Sequence, residues 1–203
     1  MANRQKQWDG CQGQPRNDAT GIIHVGQRRI SRRALSTPVQ AERERLRRRY
    51  RPARVRLLFI GESPPASARF FYRQDSGLYR VIRDTFRIVD PSITDVTFLE
   101  VFQNSGCYLI DACAGPVDHL DARSRRAACL AGEPALTRKI RQLEPAAIVT
   151  LVKSIRDNVR RAAARAGWRG PILELPYPGR WASHRKIFIE GLVPQLEQLF
   201  TGR

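Results

Sequence analysis

From residue 55 onward the chain alternates short, unbroken apolar runs with longer segments whose apolar positions recur at helical spacing. That alternation predicts an α/β domain, with strands covered on both faces and helices between them. Strands are expected over 55–60, 107–111, 147–151 and 172–175. Helices are expected over 77–87, 97–104, 133–143, 154–166 and 184–200. Gly106, Pro145, Gly170 with Pro171, and Pro178 with Gly179 punctuate the boundaries. The expected architecture is a three-layer α/β/α sandwich around a central four-stranded, mainly parallel sheet. Before residue 55 the chain is polar apart from 21–25, and residues 1–54 read as a basic, flexible or loosely docked extension to a domain over 55–203. Within it, 40–50 has helical composition and almost no apolar face, as a solvated helix would.

In a parallel sheet the residues just past each strand gather along one edge, where open α/β sheets place their chemistry. The first strand runs into Gly61, Glu62, Ser63, Pro64 and Pro65. Glu62 therefore sits at the lip of a buried strand, on a loop that two prolines stiffen. The second strand ends in Asp111, Ala112 and Cys113, the third in Val152 and Lys153, and the fourth leads into Pro176, Tyr177, Pro178, Gly179 and Arg180. Two acids, a lysine and an aromatic converge. Downstream of Glu62, Phe70, Phe71 and Tyr72 stand among Arg69, Arg73 and Arg80. This triplet either packs into the core or offers a flat surface to a planar ligand such as a base.

Charge narrows the range of partners. Of 203 residues, 36 are Lys or Arg and 19 are Asp or Glu, giving a formal charge of +17. Such an excess favours polyanions, nucleic acid first. The first 54 residues are the more basic part, but the remainder is basic as well. At 42% hydrophobic the chain holds a real core. No apolar run approaches a membrane span and the start lacks the hydrophobic segment of a signal peptide, so a cytoplasmic monomer is expected, away from membranes and associated with the nucleoid.

The strand-end motifs resemble those of the uracil-DNA glycosylase superfamily, over most of residues 55–200 and in matching order. GESPP resembles the first motif of its Gly-Glu branch, and CYLID the strand that ends in the base-reading residue. EPALTRKIRQLEPAAIVTLVKS resembles the helix, turn, buried strand and polar loop that follow. LPYPGRWASHRKIF resembles the second motif. The resemblance implies a nucleotide flipped from DNA into a pocket and hydrolysis of its N-glycosidic bond in base excision repair. It implies Glu62 as the carboxylate facing the sugar and Asp111 as the base reader. It further implies Ser63, Phe70, Phe71 or Tyr72 against the base, and Pro64, Lys153, Tyr177, Gly179, Arg180, Trp181, His184 and Arg185 along the DNA, with Arg180 or Trp181 as the wedge. Two departures stand out. Leu175 occupies the place of a histidine that donates to the departing base, and Asp111 the place of a frequent Asn. Uracil is therefore not assumed as the substrate, and a nucleic-acid-binding protein of the same fold that has lost its chemistry is the alternative. An unrelated hydrolase or nucleotide-binding enzyme ranks lower, because the chain has neither a Gly-rich phosphate loop nor a G-x-S-x-G elbow.

No cofactor is expected. The iron-sulfur branch of the superfamily uses four cysteines, but a cluster of Cys11, Cys107, Cys113 and Cys129 would need Cys107 to leave its strand face, and buried free thiols are the better reading. Asp118, His119 and Asp121 in PVDHLDAR read as a solvated loop with a helix cap, not a metal site.

Overall fold

A computed structural model describes residues 37–67, 69–179 and 181–201. Cys11, the apolar stretch 21–25 and Arg180 lie outside the described residues. Strands β1 (Leu57–Gly61), β2 (Cys107–Asp111), β3 (Ala147–Thr150) and β4 (Ile172–Glu174) form one sheet in the order β2-β1-β3-β4. Every pairing is parallel, with Leu57 level with Cys107 and Ala147 and Thr150 level with Glu174. Each residue of β1 and β2 is buried, which is why these strands read as continuous apolar runs.

Helices α2 (Gly77–Val89) and α3 (Phe98–Asn104) carry the chain from β1 to β2, and α4 (Ala122–Leu143) carries it back across the sheet to β3. Helix α5 (Arg156–Arg165) joins β3 to β4, and α6 (Ala182–Thr201) follows β4. Right-handed crossovers running in opposite directions put their helices on opposite faces. Accordingly α2 packs with α6, Phe86 meeting Phe200 at 6.0 Å, and α4 packs with α5. The architecture is the expected three-layer α/β/α sandwich, with the sheet parallel throughout. Its core is aromatic on the α2 and α3 side, where Phe86 and Phe98 lie 5.3 Å apart and Phe71 and Phe102 5.2 Å apart. Gly106 at φ +78° ends α3 and turns into β2, a conformation that costs a side chain dearly, and an added Cβ would stand 2.7 Å from Arg56.

Two helices differ from expectation. Helix α4 begins at Ala122 rather than near residue 133, because the Asp121 carboxylate accepts from the Arg123 and Ser124 amides and caps it there. Pro134 inside it has no N–H to give the Leu130 carbonyl, and Leu130 stands on the exposed side of the helix. The second difference is α1 (Pro38–Arg49), which is not a solvated helix on a loose extension. Residues 37–54 belong to the compact unit that carries the sheet. Arg43 and Arg47, four apart and so on one face, are both buried, and Tyr50 stacks on Tyr72 at 5.7 Å with the rings nearly parallel. The packed face of α1 is built from arginine, a pattern that hydrophobic periodicity does not register.

Between α4 and α5 lies a buried carboxylate, Glu133, which accepts from Asn158 at 2.9 Å, from Arg161 at 2.6 and 3.0 Å and from Arg165 at 2.7 Å. Burial pushes its carboxyl up, but these hydrogen bonds and charges outweigh it and hold the group below its ordinary 4.5. A depressed acid stabilises the fold above its unfolded pKa and loses that contribution as pH falls through the folded value. Glu133→Gln is expected to cost about 2 kcal/mol at neutral pH, with a smaller gap to the parent well below pH 4.5. Urea unfolding at the two pH values measures both, and a gap that does not change with pH would refute the ionic origin. No helix among the described residues is long and apolar enough to cross a membrane.

Candidate functional site

In a sheet ordered β2-β1-β3-β4 the connections leave β1 and β3 towards opposite faces, and this opens a crevice at the carboxyl ends of the strands. A cavity of about 360 Å³ lies there. Its walls come from the loop after β1 (Glu62, Ser63, Pro64 and Pro65), from Leu109 and Asp111 of β2, from Leu151 and Val152 after β3, and from Tyr177 after β4. The four strand ends converge as the sequence implied. Phe70, Phe71 and Leu78 supply apolar wall, and Ser76, Asp118 and Arg125 add polar groups.

Glu62 is 6% exposed and fully engaged. Arg125 of α4 forks onto its carboxylate, Nε reaching Oε1 at 2.9 Å and Nη2 reaching Oε2, and the Ser154 hydroxyl donates to Oε1 at 2.9 Å. Main-chain bonds fix its position, since the Cys113 amide donates to the Glu62 carbonyl at 2.8 Å and so ties the loops after β1 and β2 together. The same carboxylate, Arg125 and Val152 also line a second cavity of about 380 Å³ beside Cys129 and Ser154, so the Glu62–Arg125 pair stands between the two.

Asp111 is 7% exposed and bound by α1, with Arg47 Nη2 donating to Oδ2 at 2.8 Å. Burial pushes the Asp111 carboxyl up, and the charges of Arg47 and Lys139 work against that. Glycine at position 61 is a packing requirement, because an added Cβ would stand 2.9 Å from Asp111 Oδ1.

The aromatic triplet is buried in the core, and two of its members, Phe70 and Phe71, also line the cavity. Phe70, Phe71 and Tyr72 are each at most 3% exposed. The Tyr72 hydroxyl donates to the Leu109 carbonyl at 3.1 Å and accepts from the Leu109 amide at 2.8 Å, and Tyr72 does not line the cavity. Phe71 packs edge-on against Tyr72 and Tyr79. Phe70 carries the Arg43 and Arg47 guanidinium groups over its ring at 5.7 and 5.4 Å, a cation–π arrangement that commits that face to α1.

Ser63 and Pro64 sit in the cavity wall, the Ser63 hydroxyl accepting from the Val117 amide at 3.3 Å. Lys153, Gly179, Trp181 and Arg185 are exposed, and Tyr177 is 43% exposed at the cavity mouth. Arg185 pairs with Asp84 at 3.1 Å, and His184 is half-buried at the start of α6. Leu175 is buried and turned to the core, so close to α6 that a Cβ on Gly191 would meet it at 2.6 Å. Among the described residues two of the three cysteines are neighbours and one is not. Cys113 and Cys129 have Sγ atoms 3.4 Å apart, whereas Cys107 opens β2 at its far end, about 20 Å along an extended chain. Burial pushes the Cys113 thiol up to about 12.

Sequence reasoning missed Arg125, Ser154, Asp118 and the two α1 arginines. Arg125 is one of many arginines, and only the cap at Asp121, which starts α4 early, could have placed it on a helix facing Glu62. Compared with known proteins, the chain matches no family model and no curated protein.

Proposed function

We propose that this protein binds nucleic acid, takes a damaged or non-standard base into the cavity at the strand ends and hydrolyses its N-glycosidic bond, as a member of the uracil-DNA glycosylase superfamily would in base excision repair. One observation carries the reading. Two buried carboxylates from adjacent strand ends, Glu62 and Asp111, meet in a partly apolar cavity of about 360 Å³ on a chain of formal charge +17. The size and lining suit a planar heterocycle, and the charge suits its polyanionic carrier.

In this reading the base enters between Phe71, Leu109 and Val152 while its sugar remains towards Glu62. The bond from C1′ to the base nitrogen breaks and its electron pair leaves with the base. The Glu62 carboxylate stabilises the positive charge developing on the sugar. Water adds hydroxide at C1′ and its remaining proton goes to the departed base. Arg125, 40% exposed, turns from Glu62 to a backbone phosphate when DNA binds, leaving the carboxylate to the sugar. Tyr177, Trp181, Lys153 and Arg185 supply the exposed contacts around the mouth. The protein acts as a monomer at the nucleoid and uses no cofactor.

A second reading, binding without catalysis, draws on the engagement of both Glu62 oxygens and on Leu175, which donates nothing. Oligonucleotides carrying a single uracil, hypoxanthine, xanthine, hydroxymethyluracil or mismatch, treated with protein and then alkali, decide between the two. Strand scission at one lesion is the expected result. Silence on all of them, with salt-sensitive binding intact, would establish the binding protein instead.

A further inference from the structure

Helix α1 precedes the part of the chain that carries the strand-end motifs, yet two of its side chains reach the cavity wall. Arg43 Nη2 donates to the carbonyls of Pro65 at 2.9 Å and Ser67 at 2.6 Å, clamping the loop that follows Glu62. Arg47 donates to Asp111 Oδ2, and Glu44 takes up another of its N–H groups. Both arginines are 5% exposed. A buried guanidinium keeps its charge and demands a carboxylate partner, and a carboxylate held in this way is an acceptor only. Among the described residues no hydrogen bond reaches the other Asp111 oxygen, Oδ1, which lies beside Gly61 in the cavity wall. With Oδ2 committed to Arg47 and the residue lining the cavity, Asp111 offers its other oxygen to a ligand as an acceptor.

We infer that Arg47 is a positioning residue that fixes Asp111 as an acceptor and thereby selects bases presenting an exocyclic amino group over bases presenting a carbonyl at the same place. The inference rests on the base-binding reading of the cavity. A single fixed acceptor suits the amino group of cytosine- or adenine-type bases. A uracil-type edge sets a carbonyl oxygen at that position, and its ring N–H is flanked by two carbonyls that the carboxylate repels.

The probe is a pair of single-stranded oligonucleotides that differ only in carrying one 5-hydroxycytosine or one 5-hydroxyuracil. Affinity is measured for the full chain, with cleavage followed separately. The parent is expected to bind the amino base at least tenfold more tightly. Arg47→Met removes the charge that opposes the upward push of burial on the Asp111 carboxyl, so a larger share of it is protonated at the low end of the pH range and gains a donor. The ratio should then fall towards one, and recover as pH rises. Arg47→Lys should keep the parent ratio. Asp111→Asn, of nearly the same shape, should favour the carbonyl base at every pH and serves even if Arg47→Met fails to fold. The groups facing Asp111 are Arg43, Glu44 and Arg47 of α1, Lys139 of α4, Tyr72 and Cys113, with Glu62, Asp118 and Arg125 across the cavity. Only the variants that alter Arg47 or Asp111 should move the ratio's pH profile.

A parent ratio of one or below, or a well-folded Arg47→Met variant with the parent ratio at all pH values, overturns the inference. Cleavage without discrimination would overturn it while leaving the glycosylase reading intact. Discrimination without cleavage would support it and remove the chemistry.

Discussion

On the proposed reading, Glu62→Gln is expected to lower turnover of the N-glycosidic bond by about a thousandfold, roughly 4 kcal/mol of transition-state stabilisation, and to leave affinity for the lesion-bearing strand close to the parent value. The asymmetry follows from when the carboxylate acts. Charge appears on the sugar only as the bond breaks, so a neutral isostere forfeits an interaction that the bound ground state never made. Glutamine keeps the length of the side chain and one carbonyl oxygen for the Ser154 hydroxyl, but it sets an amide nitrogen against Arg125. A loss of about 1–2 kcal/mol in folding stability accompanies the change, and a urea titration separates it from the loss in turnover. Single-turnover cleavage of the best substrate from the lesion screen, run beside equilibrium binding, is the measurement. A variant that cuts at the parent rate would remove Glu62 from the chemistry, and Arg125 with Ser154 would then be reassigned as a structural clamp between β1, α4 and the turn at Lys153–Ile155.

Asp111→Ala is expected to cost about 3–4 kcal/mol of folding stability, because it strands the Arg47 guanidinium, 5% exposed, without its carboxylate. In a unit of this size that corresponds to a fall in Tm of about 10 °C. The informative comparison is with the double variant. Replacing a buried ion pair by apolar groups is often close to neutral, whereas removing one partner is not. Arg47→Met with Asp111→Ala should therefore be more stable than Asp111→Ala alone, which a double-mutant cycle reads as a coupling energy of about 2 kcal/mol. Glu44 and Lys139 flank the pair and dilute the coupling, since each retains an interaction with the remaining charge. A cost below about 1 kcal/mol for the single variant would mean that Arg47 finds water or Glu44 in its place, and that α1 is a weaker brace than its contacts imply.

These two carboxylates show how unevenly the site could be read. That Glu62 and Asp111 lie at neighbouring strand ends was legible, because uninterrupted apolar runs mark doubly covered strands and parallel strands must end on one side. The partners of those carboxylates were not. Arg125 and Arg47 stand 63 and 64 residues away, among 36 Lys and Arg with no local mark to distinguish them. The aromatic triplet was ambiguous for a related reason. Composition makes Phe70, Phe71 and Tyr72 equally fit for a core or a stacking surface, and the choice depends on whether neighbouring elements offer buried partners, as Leu109 does for the Tyr72 hydroxyl.

Local sequence thus settled what local forces control. Strand β2 runs over Cys107–Asp111 as the apolar pattern indicates, and the helix termini at Asn104 and Leu143 fall beside Gly106 and Pro145 because backbone freedom and ring closure act within a residue or two. Helix α1 was left for the tertiary structure. Its buried face is arginine, and a buried arginine is stable only once a distant carboxylate and distant carbonyls have been brought to meet it. Burial of charge is a property of pairs, and pairs far apart in sequence exist only after the chain has folded.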